Sequence, residues 1–219
     1  MTLWLFYCKI LDEQEKNELV KSLSPDVIIE KVNALYEILK DRLKGIIDSK
    51  EKINLKKETI IYAIEELKEV KFKSVTSDVK GHILQKIIDR SYRESRGQFF
   101  TPAPVVDFMV KMINPCKGEK GCDPASGTGG FMFTALEHIS ESNNITKKDI
   151  DNIYFYDISK SLIKLIAMRM MFEFSYNEPN FDVRDSIAED YDMNFDYVLT
   201  NPPFGTQGKI MDSKILRKY

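Results

Sequence analysis

The second half of the chain alternates strand-like runs with helical stretches, and this alternation restricts the fold more than any other feature. Four apolar or β-rich runs follow Gly97, at Gly121-Cys122, Ile153 to Tyr156, Phe181 to Val183 and Tyr197 to Thr200. Helical stretches lie between them, over Gly130 to Ile139 and from Ser161 to about Phe174. Such alternation is typical of a parallel sheet with crossover helices on its faces. The sequence therefore predicts an α/β fold.

A further helix is predicted ahead of the first strand. Thr101-Pro102 combines a capping residue with a proline at the first helical position. Apolar residues follow at Val106, Met109, Met112 and Ile113. The helix is therefore expected to begin directly at the threonine-proline pair.

Each predicted strand finishes in a polar residue. These residues are Asp123, Asp157, Asp185 and Asn201. In open α/β sheets, ligands bind in the crevice outside the carboxyl ends of the strands. The four polar groups are therefore predicted to line one binding edge.

The segment "DPASGTGG", Asp123 to Gly130, marks where the first strand turns into a helix. Glycines let the backbone approach a ligand closely with its amides pointing outward. The segment is neither a phosphate-binding P-loop, because the GK[ST] ending is absent, nor GxGxxG. Asp123 would repel a pyrophosphate and attract an amino group. A ligand with a cation near this loop is therefore favoured.

Asp157 is placed to accept hydrogen bonds from ribose hydroxyls, as acidic residues do in nucleotide-binding α/β folds. A nucleoside that carries an ammonium group satisfies both aspartates, and S-adenosylmethionine is the common cofactor with these features. A glycine-rich turn with a helix cap is the structural alternative for "GTGG" considered alone.

Residues 1–96 have a helical pattern and are predicted to form a separate domain, with 97–219 as the α/β domain. Apolar residues recur at helical spacing in three segments: Ile28 to Leu43 after Ser24-Pro25-Asp26, with Gly45 as a stop; about Lys57 to Val70; and Val79 to Tyr92 after Ser77-Asp78. The charged residues between the stripes are predicted to be solvated.

Composition narrows the class of protein. A net charge of −2 argues against a protein that binds nucleic acid through the electrostatic field of its whole surface. Cys8, Cys116 and Cys122 form no CxxC pair, so neither disulfides nor a metal site is predicted and a cytoplasmic location is expected. No run approaches the roughly twenty apolar residues of a membrane span. The apolar opening, residues 1–10, is interpreted as a helix start or an exposed chain end.

Three motifs in order, "GQFFTP" (97–102), "DPASGTGG" and "NPPF" (201–204), resemble those of N6-adenine DNA methyltransferases. With helices in front, residues from about Ser77 to Phe204 most resemble the modification subunit of type I restriction-modification systems. The resemblance implies a Rossmann-like S-adenosylmethionine-dependent methyltransferase domain. Because that family has about seven strands, it also implies a domain truncated after the fourth strand.

The resemblance implies a role for each matching residue. Phe99, Thr101 and Pro102 would touch the methionine end of the cofactor, Asp123, Gly127 and Gly129 would form the cofactor loop, Asp157 would take the ribose, and Asp185 would take the cofactor's adenine. Two mild departures occur: the family more usually ends its second strand with glutamate, and it more commonly has "DPAC".

The "NPPF" residues suit the chemistry of an adenine amine. That amine is a poor nucleophile because its lone pair is delocalised into the ring, and it is inaccessible until the base is flipped out of the duplex. The Asn201 side-chain oxygen and the Pro202 carbonyl can each accept one N–H, while Phe204 offers a stacking face. The prolines hold the two acceptors in a fixed arrangement. A helix cap or turn is the competing use of Asn201.

The predicted function is therefore adenine-N6 methylation of double-stranded DNA, with a specificity and a restriction subunit as partners. Two alternatives remain open: a methyltransferase for RNA or a protein glutamine amide, and a non-catalytic module that binds cofactor and partners. Because only four strands are found, this chain alone is expected not to methylate DNA.

Overall fold

A computed structural model of the chain describes residues 3–15, 19, 23–44, 46–72, 101–142, 144–176, 180–189 and 192–203. The predicted stop at Gly45, the third helix after Ser77, the domain boundary at 96/97, Phe99 and Phe204 lie outside the described residues. Those five predictions stay predictions. The described residues fall into two compact units, one helical and one built around a sheet.

The helical unit contains α1 (Leu3–Glu15), α2 (Pro25–Arg42) and α3 (Lys57–Leu67), and residues 168–176 are grouped with it. Helix α2 starts with its proline at the first position after Ser24 and buries the predicted stripe, Ile28, Val32, Leu35 and Leu39. Helix α3 ends three residues before the predicted Val70. The apolar opening is a helix whose side chains at Leu5, Tyr7 and Cys8 are fully buried, so this segment belongs to a core.

The sheet unit has four parallel strands in the order β3-β2-β1-β4. They are β1 (Gly121–Asp123), β2 (Ile153–Asp157), β3 (Asn180–Val183) and β4 (Tyr197–Val198). The predicted α/β fold with a parallel sheet is therefore confirmed. Two strand ends differ from the sequence interpretation, because β3 stops two residues before Asp185 and β4 stops three residues before Asn201. These two polar residues lie in the loops that leave the sheet.

The helices of this part of the chain are α4 (Ala103–Ile113), α5 (Gly130–Ser142), α6 (Lys147–Asp151) and α7 (Lys160–Phe174). Helix α4 starts one residue later than predicted, with Pro102 at the cap position, and it buries Val106 and Val110 while Met112 is 69% exposed. Helix α6 was not predicted because it is short. Its signal is Thr146-x-x-Asp149, where the Asp149 carboxylate accepts the Thr146 N–H at 2.8 Å.

The strand order creates one distinctive crevice. From β1 the chain moves outward through β2 to β3, and it then returns to pair β4 with the opposite side of β1. The connection from β1 thus leads to β2 on one side of β1, whereas the connection from β3 leads back to β4 on its other side, and such a reversal opens a ligand crevice at the carboxyl ends of β1 and β4. Asp123 ends β1, and the Thr200-Asn201 loop follows β4, so both border this crevice.

Among the described helices, none is both long and apolar enough to cross a membrane.

Close packing between β1 and β4 gives a first prediction. A Cβ on Gly121 would lie 2.2 Å from Cζ of the buried Tyr197 ring. We expect Gly121→Ala to lower the free energy of unfolding by about 1–3 kcal/mol through overpacking, measured by urea denaturation. The matched control is Gly130→Ala, where a new Cβ meets nothing within 4 Å. Equal stability of the two variants would contradict the described strand register.

Candidate functional site

The loop after β1 is shaped by two glycines in the left-handed region. Gly127 has φ +54° and Gly129 has φ +83°, conformations that glycine adopts without steric cost. A Cβ at Gly129 would lie 2.6 Å from the Phe133 ring, whereas one at Gly127 would meet nothing within 4 Å. Gly129 therefore allows close packing of the helix, and Gly127 faces space that a ligand can fill.

Hydrogen bonds anchor this loop to the end of β2. The N–H and hydroxyl of Ser126 donate to the Tyr156 carbonyl at 2.8 and 2.9 Å. The Gly127 N–H donates to Asp157 Oδ2 at 2.9 Å. Ser126, the residue that departs from "DPAC", thus uses its hydroxyl to join the two strand ends.

Asp123 is a buried acid, only 2% exposed. Its Oδ1 accepts the Ala125 N–H at 3.1 Å. Burial raises the pKa of Asp123 to about 7, and the nearby charge of Asp157 adds to the increase, whereas Thr200 and the Ala125 N–H oppose it. A cation placed beside this carboxyl would favour its ionised form. The site is therefore electrostatically suited to an ammonium or sulfonium group.

Asp157 is held by two backbone donors. Besides the Gly127 N–H at Oδ2, the Ser159 N–H donates to Oδ1 at 2.8 Å. Burial raises the pKa of Asp157, and these two hydrogen bonds oppose the increase. Each carboxylate oxygen keeps further acceptor capacity. Both oxygens are thus fixed in orientation and able to accept ribose hydroxyls.

Asp185 caps the turn after β3. Its Oδ1 accepts the N–H groups of Ile187 and Ala188 at 3.1 and 3.2 Å. The neighbouring Ser186 hydroxyl donates to the Pro124 carbonyl at 2.7 Å. The turn is therefore tied to the start of the glycine loop, and the assignment of Asp185 to the cofactor's adenine stays a prediction.

Two motifs that are distant in sequence meet at Asn201. Its side-chain Nδ2 donates to the Thr101 hydroxyl at 2.9 Å, across 100 residues of sequence. Asn201 Oδ1 has no hydrogen-bond partner among the described residues, and both Asn201 and Pro202 are exposed. The amide is therefore oriented by Thr101, and its acceptor oxygen is left for a ligand.

Sequence reasoning missed three residues of this region. Ile158 is 73% exposed and Ile187 is 41% exposed, and they follow Asp157 and Asp185 closely in the sequence. An apolar residue one or two positions after the polar residue that follows a strand was the available signal. The third is Thr200, whose hydroxyl is buried beside Asp123 and whose position at the end of an apolar run gives no sign of that neighbour.

The strand order, the glycine loop after β1 and the acidic ends of β1 and β2 define a Rossmann-like fold of the class I methyltransferase type. The chain belongs to the N-6 DNA Methylase family, whose profile matches residues 72–218. The family predicted from the three ordered motifs is therefore confirmed.

Known proteins similar to this chain agree with that family. The type I restriction enzyme EcoEI methylase subunit of Escherichia coli is 30% identical over 154 residues, which cover 65% of this chain and 31% of that protein. A solved modification subunit from Vibrio vulnificus YJ016, attributed to a type I restriction enzyme, has a TM-score of 0.58 at 26% identity over 73% of this chain and 35% of that one.

A chain from a solved type I R-M system shares the fold, with a TM-score of 0.68 at 22% identity over 93% of this chain and 50% of that one. This chain spans only about a third, 31%, of the length of the curated relative from Escherichia coli.

Proposed function

We propose that this segment binds S-adenosylmethionine at the carboxyl edge of the sheet and, within a complete methylase, directs its methyl group to N6 of a flipped-out adenine. The Asn201–Thr101 hydrogen bond carries the proposal, because it joins the predicted base-binding loop to the predicted cofactor-binding motif. Family membership supports DNA adenine over RNA or a protein glutamine amide, and an active enzyme over a non-catalytic module.

Four features of the site fit S-adenosylmethionine. The buried Asp123 suits a cation, the Asp157 oxygens suit a ribose, and the space in front of Gly127 suits close approach of a ligand. The exposed Ile158 and Ile187 suit an aromatic base. Phe99, Thr101 and Pro102 are proposed to contact the methionine end of the cofactor, and Asp185 is proposed to contact its adenine.

When bound, the cofactor supplies an electrophilic methyl group on a sulfonium. Asn201 Oδ1 and the Pro202 carbonyl accept the two N–H groups of the adenine amine, which draws the nitrogen towards tetrahedral geometry and frees its lone pair. The Thr101 hydroxyl accepts a hydrogen bond from Asn201 Nδ2, and this contact would hold the amide while its oxygen accepts from the amine. Such preorganised acceptors stabilise charge that develops in the transition state. Phe204 is proposed to stack on the flipped base.

We further propose that the complete protein is the modification subunit of a type I restriction-modification system in the cytoplasm. Its partners would be double-stranded DNA, a specificity subunit and a restriction subunit. The names of the relatives support this assignment. The domain division at 96/97 is part of the same proposal. In the complete protein, the α/β domain would contain further strands.

The function is tested by methyl transfer from tritium-labelled S-adenosylmethionine. A complete methylase that contains this segment, with its specificity partner, is assayed on duplex DNA, RNA and a glutamine-containing peptide. We expect label only in N6-methyladenine, and none in a duplex where purine, which lacks the amine, replaces adenine. Label in RNA, peptide or cytosine would contradict the proposal.

The raised pKa of Asp123 predicts how cofactor binding depends on pH. If only the ionised carboxylate attracts the cofactor's cation, affinity should fall about tenfold per pH unit below 7 and level off above it. By linkage, binding at pH 6 should release about 0.9 proton. Calorimetry of the chain between pH 5.5 and 7.5, in buffers of different ionisation enthalpy, measures both the cofactor affinity and the number of protons released. Asp123→Asn is the control and should show a flat profile; a flat profile in the unchanged chain would contradict the assignment.

A further inference from the structure

Thr200 has a buried hydroxyl that makes no hydrogen bond with any described residue. A buried hydroxyl without a partner costs free energy, and such groups in a site call for a physical explanation. Thr200 immediately precedes Asn201, the residue assigned to the adenine amine. An unsatisfied group at this position is therefore a candidate for a role in the site.

The sheet places this hydroxyl next to the acid at the end of β1. Gly121 pairs with Tyr197 and Cys122 with Val198, and the Leu199 N–H donates to the Cys122 carbonyl at 3.1 Å. Asp123 therefore lies beside Leu199, and Thr200 follows one residue later. The hydroxyl is close enough to stabilise the ionised carboxyl of Asp123 without a hydrogen bond of ordinary geometry.

We propose that Thr200 is a positioning residue that links the two halves of the site: its hydroxyl donates to the ionised Asp123 carboxylate and thereby holds the Asn201 loop against the cofactor end of β1. This inference deepens the proposed function and rests on it for the catalytic meaning of the link. The link itself is a property of the chain without any ligand.

The link depends on the charge of Asp123. A protonated carboxyl is a weak acceptor, whereas a carboxylate accepts a strong, charge-assisted hydrogen bond. A bound cation that ionises Asp123 therefore also engages Thr200 and immobilises the peptide before Asn201. The backbone that carries the base-binding amide is then held in place when the cofactor is bound.

Other groups around Asp123 must be distinguished from Thr200. Among the described residues, Asp157 at the end of β2 raises the pKa of Asp123, and the Ala125 N–H lowers it. Cys122 precedes Asp123 in β1, and burial raises the pKa of its thiol to about 12, so it stays neutral near pH 7. Asp157 has the smallest of these influences on the pKa of Asp123, but its charge can be removed by a side-chain substitution.

The test is a carboxyl NMR titration of Asp123 in the chain without ligand. Thr200→Val removes the hydroxyl at nearly constant volume and should raise the Asp123 midpoint by about half to one pH unit. Thr200→Ser should restore it. Asp157→Asn should lower the Asp123 midpoint by the same amount whether position 200 is threonine or valine. This result would separate the influence of Asp157 from that of Thr200. Thr200→Ala provides the same deletion should the valine variant fold poorly.

A second readout reports on the loop. In the unchanged chain, the side-chain amide signals of Asn201 should follow the Asp123 titration, and in Thr200→Val they should not. An unchanged Asp123 midpoint, or amide signals that follow it equally in Thr200→Val, overturns the proposal. If both NMR results hold while the chain binds no S-adenosylmethionine, the link stands and the proposed function fails.

Discussion

Asn201→Ala, in a complete methylase that contains this segment, should lower kcat by about a hundredfold to a thousandfold while changing cofactor affinity by less than about twofold. The amide is assigned to an amine whose charge develops only in the transition state, and loss of one preorganised group of this kind costs roughly 2.7–4 kcal/mol. Single-turnover transfer of labelled methyl measures the chemical step, and equilibrium binding of S-adenosylmethionine measures the affinity.

Thr101→Val is the matched control for this variant. It removes the hydroxyl that accepts the Asn201 N–H at 2.9 Å but leaves the Asn201 oxygen in place. We expect a loss of about tenfold, because the amide keeps its chemistry and loses only its orientation. Near-normal turnover in Asn201→Ala would show that the acceptor role is misassigned.

Asp123→Ala should weaken S-adenosylmethionine binding to the chain by about one to two orders of magnitude. A charge-assisted hydrogen bond contributes about 1.5–3 kcal/mol, and this one is made in a buried setting. Asp123→Asn should behave similarly above pH 7, since it keeps the shape and removes the charge. Calorimetric titration at pH 7.5 gives the dissociation constants.

The asparagine substitution should stabilise the free chain, which separates a binding role from a structural one. The pKa of Asp123 is raised to about 7 in the folded state, so its contribution to stability is greatest at low pH and declines as the pH rises from about 4 to 7. Asp123→Asn removes that decline, so the variant should be more stable than the unchanged chain at pH 8. The exposed Asp182 on β3 offers the control: Asp182→Ala should change neither affinity nor stability. If Asp123→Asn and Asp182→Ala bind the cofactor equally well, the cofactor placement is refuted.

Local signals explain why the fold class was predictable from sequence. Each strand is a short apolar run that ends near a polar residue, and helical spacing separates the runs, so the α/β alternation needs no long-range information. The order of the strands was not predictable, because the pairing of β4 with β1 rather than β3 depends on contacts between residues far apart in sequence. The burial of Lys9 beside Glu13, at 2.9 Å, was equally invisible, since charged residues are ordinarily exposed.

The candidate site divides in the same way. The acid and the glycines of "DPASGTGG" were accessible because a sharp turn and its charge are properties of one segment. The meeting of Thr101 with Asn201 requires the folded chain. Thr200 was missed because its significance comes from a neighbour on another strand, and Ile158 because a single exposed apolar residue is ordinary on protein surfaces.

Calorimetric titration of this chain with S-adenosylmethionine, and separately with ATP, tests the central claim most directly. Both ligands carry adenosine, but only the former brings cations to the buried acid at the end of β1, whereas a triphosphate is repelled by it. We predict saturable binding of S-adenosylmethionine at one site per chain, lost in Asp123→Ala, and no binding of ATP. Saturable binding of ATP with none of S-adenosylmethionine would contradict the account.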